Sequence, residues 1–168
     1  MVATGVGDTL KGIRAASKAA DAATDTAKSV RKVGTTIDNR MVSNSLFSNG
    51  ERVATTKQVR AYKKEMNGKG IKVTVDKKGK VLNGNKVAGF DYSTGTIYIK
   101  KNPGVIDLYY EGYHAEQYLN IGQECYINLG KVAREEYVYE RIMDNSSLFN
   151  EIELQNATDY ITKVRGGS

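Results

Sequence analysis

The apolar side chains change their spacing at Pro103, and this change limits the fold more than any other feature of the chain. Between residues 71 and 100, hydrophobic residues alternate with polar ones, as in Ile71, Val73 and Val75, and glycine-containing turns separate the short runs. Alternation with a period of two is typical of strands that bury one face. These residues therefore predict a small antiparallel sheet of three or four strands.

From Pro103 onward, apolar residues recur every three or four positions, which is the spacing of one face of an α-helix. The pattern predicts three C-terminal helices, at about residues 106–121, at 131–144 and after Asn150. The second of them has a predicted apolar, core-facing stripe of Val132, Tyr139, Ile142 and Met143. Asn150 and Glu153 have the spacing of a capping box, and Gly122 is placed to end the first of these helices. With a further short helix expected before the sheet, the predicted fold class is α+β.

The N-terminal part has a different composition from the rest. Residues 7–33 are rich in alanine with interspersed charges, which favours a helix but provides few large side chains for a core. Residues 34–50 carry Gly, Asn, Ser and Thr near both ends and interrupt the periodic pattern. We therefore expect two regions, a helical arm or linker over residues 1–50 and a globular domain over residues 51–168.

The net charge of +6 is distributed unevenly along the chain. Residues 1–104 hold 20 Lys and Arg against 8 Asp and Glu, whereas residues 105–168 hold 5 against 11. Positive charge can attract nucleic acid or an anionic membrane, but lysines spread through turns are more often solvated surface residues. Nucleic-acid binding is therefore a secondary expectation.

The composition excludes several classes of protein. Because Cys125 is the single cysteine, the chain can form neither an internal disulfide nor a Cys-rich zinc knuckle, and we expect this thiol to be buried. No apolar run approaches the roughly 18 residues that span a bilayer, and the N-terminus lacks the hydrophobic stretch of a secretory signal peptide. The Gly-rich loops that cradle nucleotide phosphates are also missing from the sequence.

The one histidine of the chain lies in a segment with the spacing of a zinc-protease helix, Tyr110-Glu111-Gly112-Tyr113-His114. A His-Glu-x-x-His helix places two imidazoles on one face, with the glutamate beside them to take a proton from water. Here Tyr110 stands where the first histidine would be. A phenol has a pKa of about 10 and must lose its proton to bind a metal, so this exchange lowers the expected affinity for zinc.

A wider set of residues resembles the zincin-like metallopeptidase toxin domains found at the C-termini of bacterial polymorphic toxins. The resemblance covers about residues 85–165 and includes the segments YEGYHAEQ from Tyr110, LNIG from Leu119 and REEYVY from Arg134, together with Tyr126, Phe149-Asn150-Glu151, Glu153-Leu154, Ala157 and Tyr160-Ile161. It implies a zincin-like fold, in which a sheet precedes the helix with the ligands and base, and a later helix supplies another ligand.

The same resemblance implies roles for individual residues. Glu111 matches the catalytic glutamate of the family, His114 its second histidine ligand, and Glu135 the acidic residue expected to complete the zinc site. Tyr110 is a further candidate ligand, and Glu136 is a secondary candidate. The resemblance also implies an effector delivered into competing bacteria by a specialised export system, with a cognate immunity protein as partner and a protein or peptide as substrate.

Three hypotheses remain open on the sequence. In the first, a divalent ion held by His114, Glu135 and either Tyr110 or another carboxylate activates water, with Glu111 as base. In the second, the zincin scaffold has lost zinc and survives as a binding module, with Tyr110 packing where the ion once lay. In the third, the basic first half binds nucleic acid, and His114 with Glu111 or Glu135 cleaves phosphodiester bonds.

Overall fold

The computed structural model describes residues 46–167, and the side chains from Ser48 onward. This part contains a two-stranded hairpin, a three-stranded sheet and five α-helices: β1 (Leu46–Ser48), β2 (Glu51–Val53), α1 (Thr56–Gly68), β3 (Lys72–Val75), β4 (Ala88–Asp91), β5 (Thr96–Ile99), α2 (Val105–Ile121), α3 (Gln123–Asn128), α4 (Gly130–Asp144) and α5 (Glu151–Arg165). The predicted helical arm at residues 7–33 lies outside the described residues, and the division at residue 50 stays a prediction.

The three-stranded sheet confirms the α+β class and corrects its predicted pairing. The strand order is β3–β5–β4, in which β4 and β5 are antiparallel but β3 runs parallel to β5, with Val73 opposite Ile97. Alternation along the sequence indicates which face a side chain occupies, but it does not identify the neighbouring strand. Since Ile97 and Ile99 are fully buried, β5 takes the centre, and residues 76–87 let the chain cross to the other side.

Asn49 and Gly50 form the turn of the β1–β2 hairpin. Their φ angles are 53° and 84°, and positive values at both positions are typical of a type I′ turn, for which Asn-Gly is a preferred pair. The strands are antiparallel, with Ser48 opposite Glu51. Interpreting residues 34–50 only as a domain boundary overlooks this hairpin, although the Asn-Gly pair is its sequence signal.

A buried ion pair connects β2 with α5. Glu153 has no exposed surface, and its carboxylate accepts hydrogen bonds from the backbone N–H of Arg52 at 2.9 Å and from the Arg52 Nη2 at 2.6 Å. It also accepts the backbone N–H of Asn150 at 3.0 Å, so the predicted capping box is confirmed. The side chain that caps α5 therefore also fixes the hairpin, 101 residues away in sequence.

The three helices predicted after Pro103 are confirmed as α2, α4 and α5, and α3 is an additional short helix. Two predictions about burial in this region are wrong. Val132 is 49% exposed because it lies in the first turn of α4, where Lys131 and Ala133 are exposed as well. Cys125 is exposed because Tyr126 is the residue of α3 that turns inward.

We expect Gly112→Ala to stabilise the domain by about 0.5–1 kcal/mol, because glycine inside a helix costs that much relative to alanine. A Cβ at Gly112 would lie 3.4 Å from Tyr62 Oη and 3.6 Å from Met66 Cε, which are ordinary contacts. Urea denaturation measures the change. Gly50→Ala is the contrast and should destabilise, because Gly50 has φ +84° and its Cβ would lie 2.2 Å from Ile152 Cδ1. If Gly112→Ala destabilises the domain, the space around Gly112 is smaller than these distances indicate.

Candidate functional site

A cavity of about 440 Å³ lies between β4 and the helices α2, α4 and α5. Glu111 and His114 of α2 reach it from one helix, and Glu135 of α4 reaches it from another. Tyr110, one turn before His114 on α2, lines the same cavity, as the four-residue spacing predicts. The structure thus brings together four of the five residues for which the sequence suggests catalytic or ligand roles.

His114 and Glu135 approach each other across the two helices. The His114 Nε2 lies 3.4 Å from the Glu135 Oε2, and both residues are buried. The other ring nitrogen, Nδ1, lies 3.0 Å from the hydroxyl of Tyr126, which comes from α3. Contacts on both ring nitrogens fix the orientation of the imidazole plane.

Tyr110 is connected to the same carboxylate. Its hydroxyl donates a hydrogen bond of 2.5 Å to the Glu135 Oε2, the oxygen that also faces His114. The ring of Tyr110 meets the His114 ring edge to face at 5.3 Å and the Tyr160 ring at 5.9 Å. One carboxylate oxygen is therefore shared between the phenol and the imidazole.

The carboxyl group of Glu111 has a pKa near neutral pH. Burial raises the pKa of Glu111 to about 7, because the charged form loses hydration. The positive charge of His114 lowers the pKa, the charges of Asp107 and Glu135 raise it, and a hydrogen bond from the backbone of Phe90 lowers it. A side chain with a pKa near 7 can accept and release a proton at physiological pH.

The carboxyl group of Glu135 is shifted in the opposite direction. Burial acts to raise its pKa, but hydrogen bonds from His114 and Tyr110 and the charge of His114 hold that pKa below its ordinary value. Burial and the neighbouring Glu135 raise the pKa of the Tyr110 phenol, so the phenol keeps its proton. The same causes raise the pKa of Tyr160 to about 12. Different environments thus keep Glu135 ionised while Glu111 can exchange a proton.

Glu136 does not join these residues. Its side chain turns away from the cavity and forms an ion pair with Arg165 on α5, with 2.7 Å between Glu136 Oε1 and Arg165 Nε. Glu136 lies on the side of α4 that faces α5, where the Arg165 guanidinium holds its carboxylate.

Three residues that contact the site had no role predicted from the sequence. Tyr126 holds the imidazole of His114, Tyr160 packs on Tyr110, and Arg134 lines the cavity beside Glu135. Tyr126 and Tyr160 lie within the segments of the resemblance, but no local spacing indicates their contacts. These contacts depend on how α3 and α5 pack against α2, which periodicity within one helix does not reveal.

Comparison with protein families identifies the domain. The family model described as metallopeptidase toxin 4 matches residues 38–167, most of the chain. The chain belongs to the metallopeptidase toxin 4 family. Comparisons with curated proteins and with solved structures gave no match. Toxin and metallopeptidase are thus family attributes of this chain, whereas the zincin-like fold stays a prediction.

The metal implied by the family name would find only part of its donor set in this site. Two ligands at 2.0–2.1 Å from a tetrahedral zinc ion lie roughly 3.3 Å apart, and the 3.4 Å between His114 Nε2 and Glu135 Oε2 fits that arrangement. Tyr110 does not fit while its hydroxyl donates to Glu135, because a ligand must lose that proton. Within residues 46–167, no cluster of three His, Cys, Asp or Glu could hold a metal ion. The described site therefore offers a divalent ion two protein ligands, one fewer than the three of a usual catalytic zinc site.

The described helices are also informative about membranes. Between residues 46 and 167, no helix combines the length and the apolar character needed to cross a bilayer.

Proposed function

We propose that residues 46–167 form a toxin domain that hydrolyses peptide bonds in its target cell, with Glu111 as the general base. The observation that carries the proposal is that Glu111, His114 and Glu135 line one cavity, in which the pKa values of the two carboxyl groups are shifted apart. Such separation is typical of sites where one group transfers protons and another stays charged. Membership of a metallopeptidase toxin family supports the same chemistry.

Each residue of the site has a proposed role. Glu111 takes a proton from the attacking water and returns it to the leaving amine. His114 and Glu135 would hold a divalent ion, for which we propose zinc because zinc binds imidazole and carboxylate together. Such an ion, when bound, polarises the peptide carbonyl and makes water easier to deprotonate. Tyr126 orients His114, and Tyr110 holds the Glu135 carboxylate in position.

The position of β4 supports a peptide as the substrate. β4 is an edge strand of the three-stranded sheet, and Ala88, Gly89 and Phe90 line the cavity. In an edge strand the backbone groups on one side lack a strand partner, and an extended peptide can pair with them through main-chain hydrogen bonds. A peptide placed along β4 would lie beside Glu111, which interacts with the backbone of Phe90.

The hydrogen bond between Tyr110 and Glu135 favours a second candidate function. It occupies the oxygen that a metal would need, and it is a stable arrangement for a site without an ion. In that case the domain is a metal-free binding module with a zincin-derived scaffold. Nucleic-acid cleavage, the third hypothesis, receives less support, because the cavity wall includes the acidic residues Glu51, Asp107, Glu111 and Glu135, which repel a polyanion.

Metal analysis of the wild-type chain and of Tyr110→His separates the two main candidates. The new imidazole replaces a protonated phenol, so we expect Tyr110→His to bind zinc roughly a hundredfold more tightly than the wild type. Competition with a chromophoric chelator measures both affinities. Tyr139→His adds the same imidazole on α4 but outside the cavity lining, where Tyr139 lies under Arg165, and is the control for non-specific binding.

The outcomes lead to different conclusions. A wild-type chain that retains about one zinc per molecule, together with peptide hydrolysis that a chelator abolishes, supports the proposed hydrolase. A metal-free wild type without hydrolysis, whose Tyr110→His variant gains zinc, supports the binding module. If Tyr110→His binds zinc no better than Tyr139→His, the four residues do not form a metal site.

Delivery and neutralisation belong to the same proposal. We propose that a specialised export system carries the domain into competing bacteria and that a cognate immunity protein protects the producing cell. The support is the toxin family to which the chain belongs. The proposal predicts that expression inside a susceptible bacterium stops growth, whereas addition of the purified chain outside the same cells does not.

A further inference from the structure

The cavity contains a cationic side chain that the proposed hydrolysis does not use. Arg134 lines the cavity next to Glu135, and its guanidinium carbon lies 5.0 Å from the ring centre of Tyr92 and 5.1 Å from that of Tyr126. The two ring centres are 5.9 Å apart, so both rings support the guanidinium from one side. Contact with aromatic rings holds an arginine in place without requiring a charged partner.

In its partners, Arg134 differs from three other arginines of residues 46–167. Three other arginines form ion pairs with glutamates: Arg52 with Glu153, Arg141 with Glu116, and Arg165 with Glu136. Among residues 46–167, Arg134 has no such pair, and its hydrogen bond from Nη1 to the carbonyl oxygen of Tyr126 is long, at 3.5 Å. A guanidinium carries five N–H donors, so most donors of Arg134 remain available to a ligand.

We infer that Arg134 binds a carboxylate of the substrate peptide and makes the cavity selective for peptides that carry one. This inference rests on the proposed function, since it takes the ligand to be a peptide. A guanidinium pairs with a carboxylate through two parallel hydrogen bonds, and the single charge of a carboxylate matches one arginine. The acidic residues Glu111 and Glu135 in the same cavity disfavour a dianion such as a phosphate group.

The carboxylate can come from two sources, an Asp or Glu side chain or the free C-terminus of the peptide. Three short peptides distinguish them: acetyl-Ala-Glu-Ala-amide has only the side-chain carboxylate, acetyl-Ala-Ala-Ala has only the terminal one, and acetyl-Ala-Gln-Ala-amide has neither. We propose calorimetric titration of each peptide into the full chain with Glu111→Gln, which keeps the peptide intact. At least one acidic peptide should bind about tenfold or more tightly than the neutral peptide.

Substitutions then test whether Arg134 is responsible. Arg134→Gln should reduce the preference for the acidic peptide to less than threefold, and Arg134→Lys should retain part of it, because lysine keeps the charge but not the paired geometry. Arg165→Gln is the matched control, because Arg165 also lies over a ring, that of Tyr139, but pairs with Glu136 away from the cavity. It should leave the preference unchanged.

A second control separates a local contact from the general field of the cavity. Lys86 also lines the cavity, but it lies before β4, whereas Tyr92 follows β4, so the two residues are roughly 20 Å apart along the strand. Lys86→Gln removes the same charge and should change the preference less than threefold. An equal loss in Lys86→Gln and Arg134→Gln would overturn the inference.

Three further results would also overturn the inference. They are equal affinity for acidic and neutral peptides, a preference for acidic peptides that survives Arg134→Gln, and no measurable binding of either acidic peptide. Because these titrations measure binding without turnover, their outcome is independent of hydrolysis. If the chain prefers acidic peptides through Arg134 but has no hydrolytic activity, the inference is supported and the proposed function is not. If the chain hydrolyses peptides without preferring acidic ones, the proposed function is supported and the inference is not.

Discussion

Glu111→Gln should reduce peptide hydrolysis and toxicity by about 10²–10⁴-fold, the usual contribution of a general base. Glutamine has nearly the same shape but cannot accept the proton from water. In the wild type, activity should fall as the pH decreases below about 7, because Glu111 has a pKa of about 7 and its protonated form is inactive as a base. Growth arrest on expression inside a susceptible bacterium and hydrolysis of peptides at several pH values measure both effects.

The same substitution should make the domain more stable, which distinguishes a lost base from a damaged fold. The pKa of Glu111 is about 7 in the folded chain, against a model value of 4.5. The folded state therefore binds more protons between these values, and the stability of the wild type falls as the pH rises through this window. Glutamine does not ionise, so Glu111→Gln does not lose stability as the pH rises. Above pH 7 its free energy of unfolding should exceed that of the wild type by about 3 kcal/mol at most, and below pH 4.5 the two should be similar.

The control is Glu124→Gln, which makes the same chemical change at an exposed position in α3. It should leave activity and the pH profile unchanged. If Glu111→Gln keeps full toxicity, Glu111 is not the base, and the binding module becomes the better account. If Glu111→Gln loses both activity and stability, the loss of activity reflects unfolding and does not support a catalytic role.

Arg52→Ala should destabilise the domain by about 3–5 kcal/mol, the usual cost of leaving one member of a buried ion pair without its partner. Glu153 is fully buried, and the guanidinium of Arg52 provides its positive charge. The guanidinium Nη2 also donates to the carbonyl oxygen of Leu148 at 2.5 Å, so a partly buried acceptor loses its donor as well. Urea denaturation followed by circular dichroism measures the free energy of unfolding.

Arg165→Ala provides the matched comparison. Arg165 pairs with Glu136 at 2.7 Å, nearly as closely as Arg52 pairs with Glu153, but its side chain is 50% exposed. Water screens that pair, so its removal should cost much less stability than the removal of Arg52. Similar losses in both variants would mean that the Arg52 pair is not isolated from solvent. The double variant Arg52→Leu/Glu153→Leu should regain only part of that stability, because no buried charge is left unpaired but the backbone N–H groups of Arg52 and Asn150 lose their acceptor.

The sequence predicts features that depend on local spacing. The steps of three and four place Tyr110 and His114 on one face of α2, and the structure has both residues at the cavity. Asn150 and Glu153 form the predicted capping box because their positions within one helical turn are sufficient to define it. Gly122 ends α2 for a similar reason, since its φ of 80° is accessible to glycine without strain.

Features that depend on contacts between distant segments could not be predicted in the same way. The parallel pairing of β3 with β5 leaves no trace in the alternation of either strand. The placement of Glu135 opposite His114 follows from the packing of α4 on α2, and only the resemblance to toxin domains suggested it. The contacts of Tyr126 with His114 and of Arg52 with Glu153 join separate elements, and no local pattern around these residues indicates them.

The cavity draws its walls from both ends of the described chain, and this has a consequence for biosynthesis. Glu51 precedes the sheet, whereas Asn156, Ala157 and Tyr160 come from α5, so a ribosome that has translated only as far as α4 has not yet produced a complete cavity. The nascent polypeptide therefore has no complete cavity until α5 has emerged and docked. If the cavity has the proposed activity, that activity can begin only after α5 has been translated.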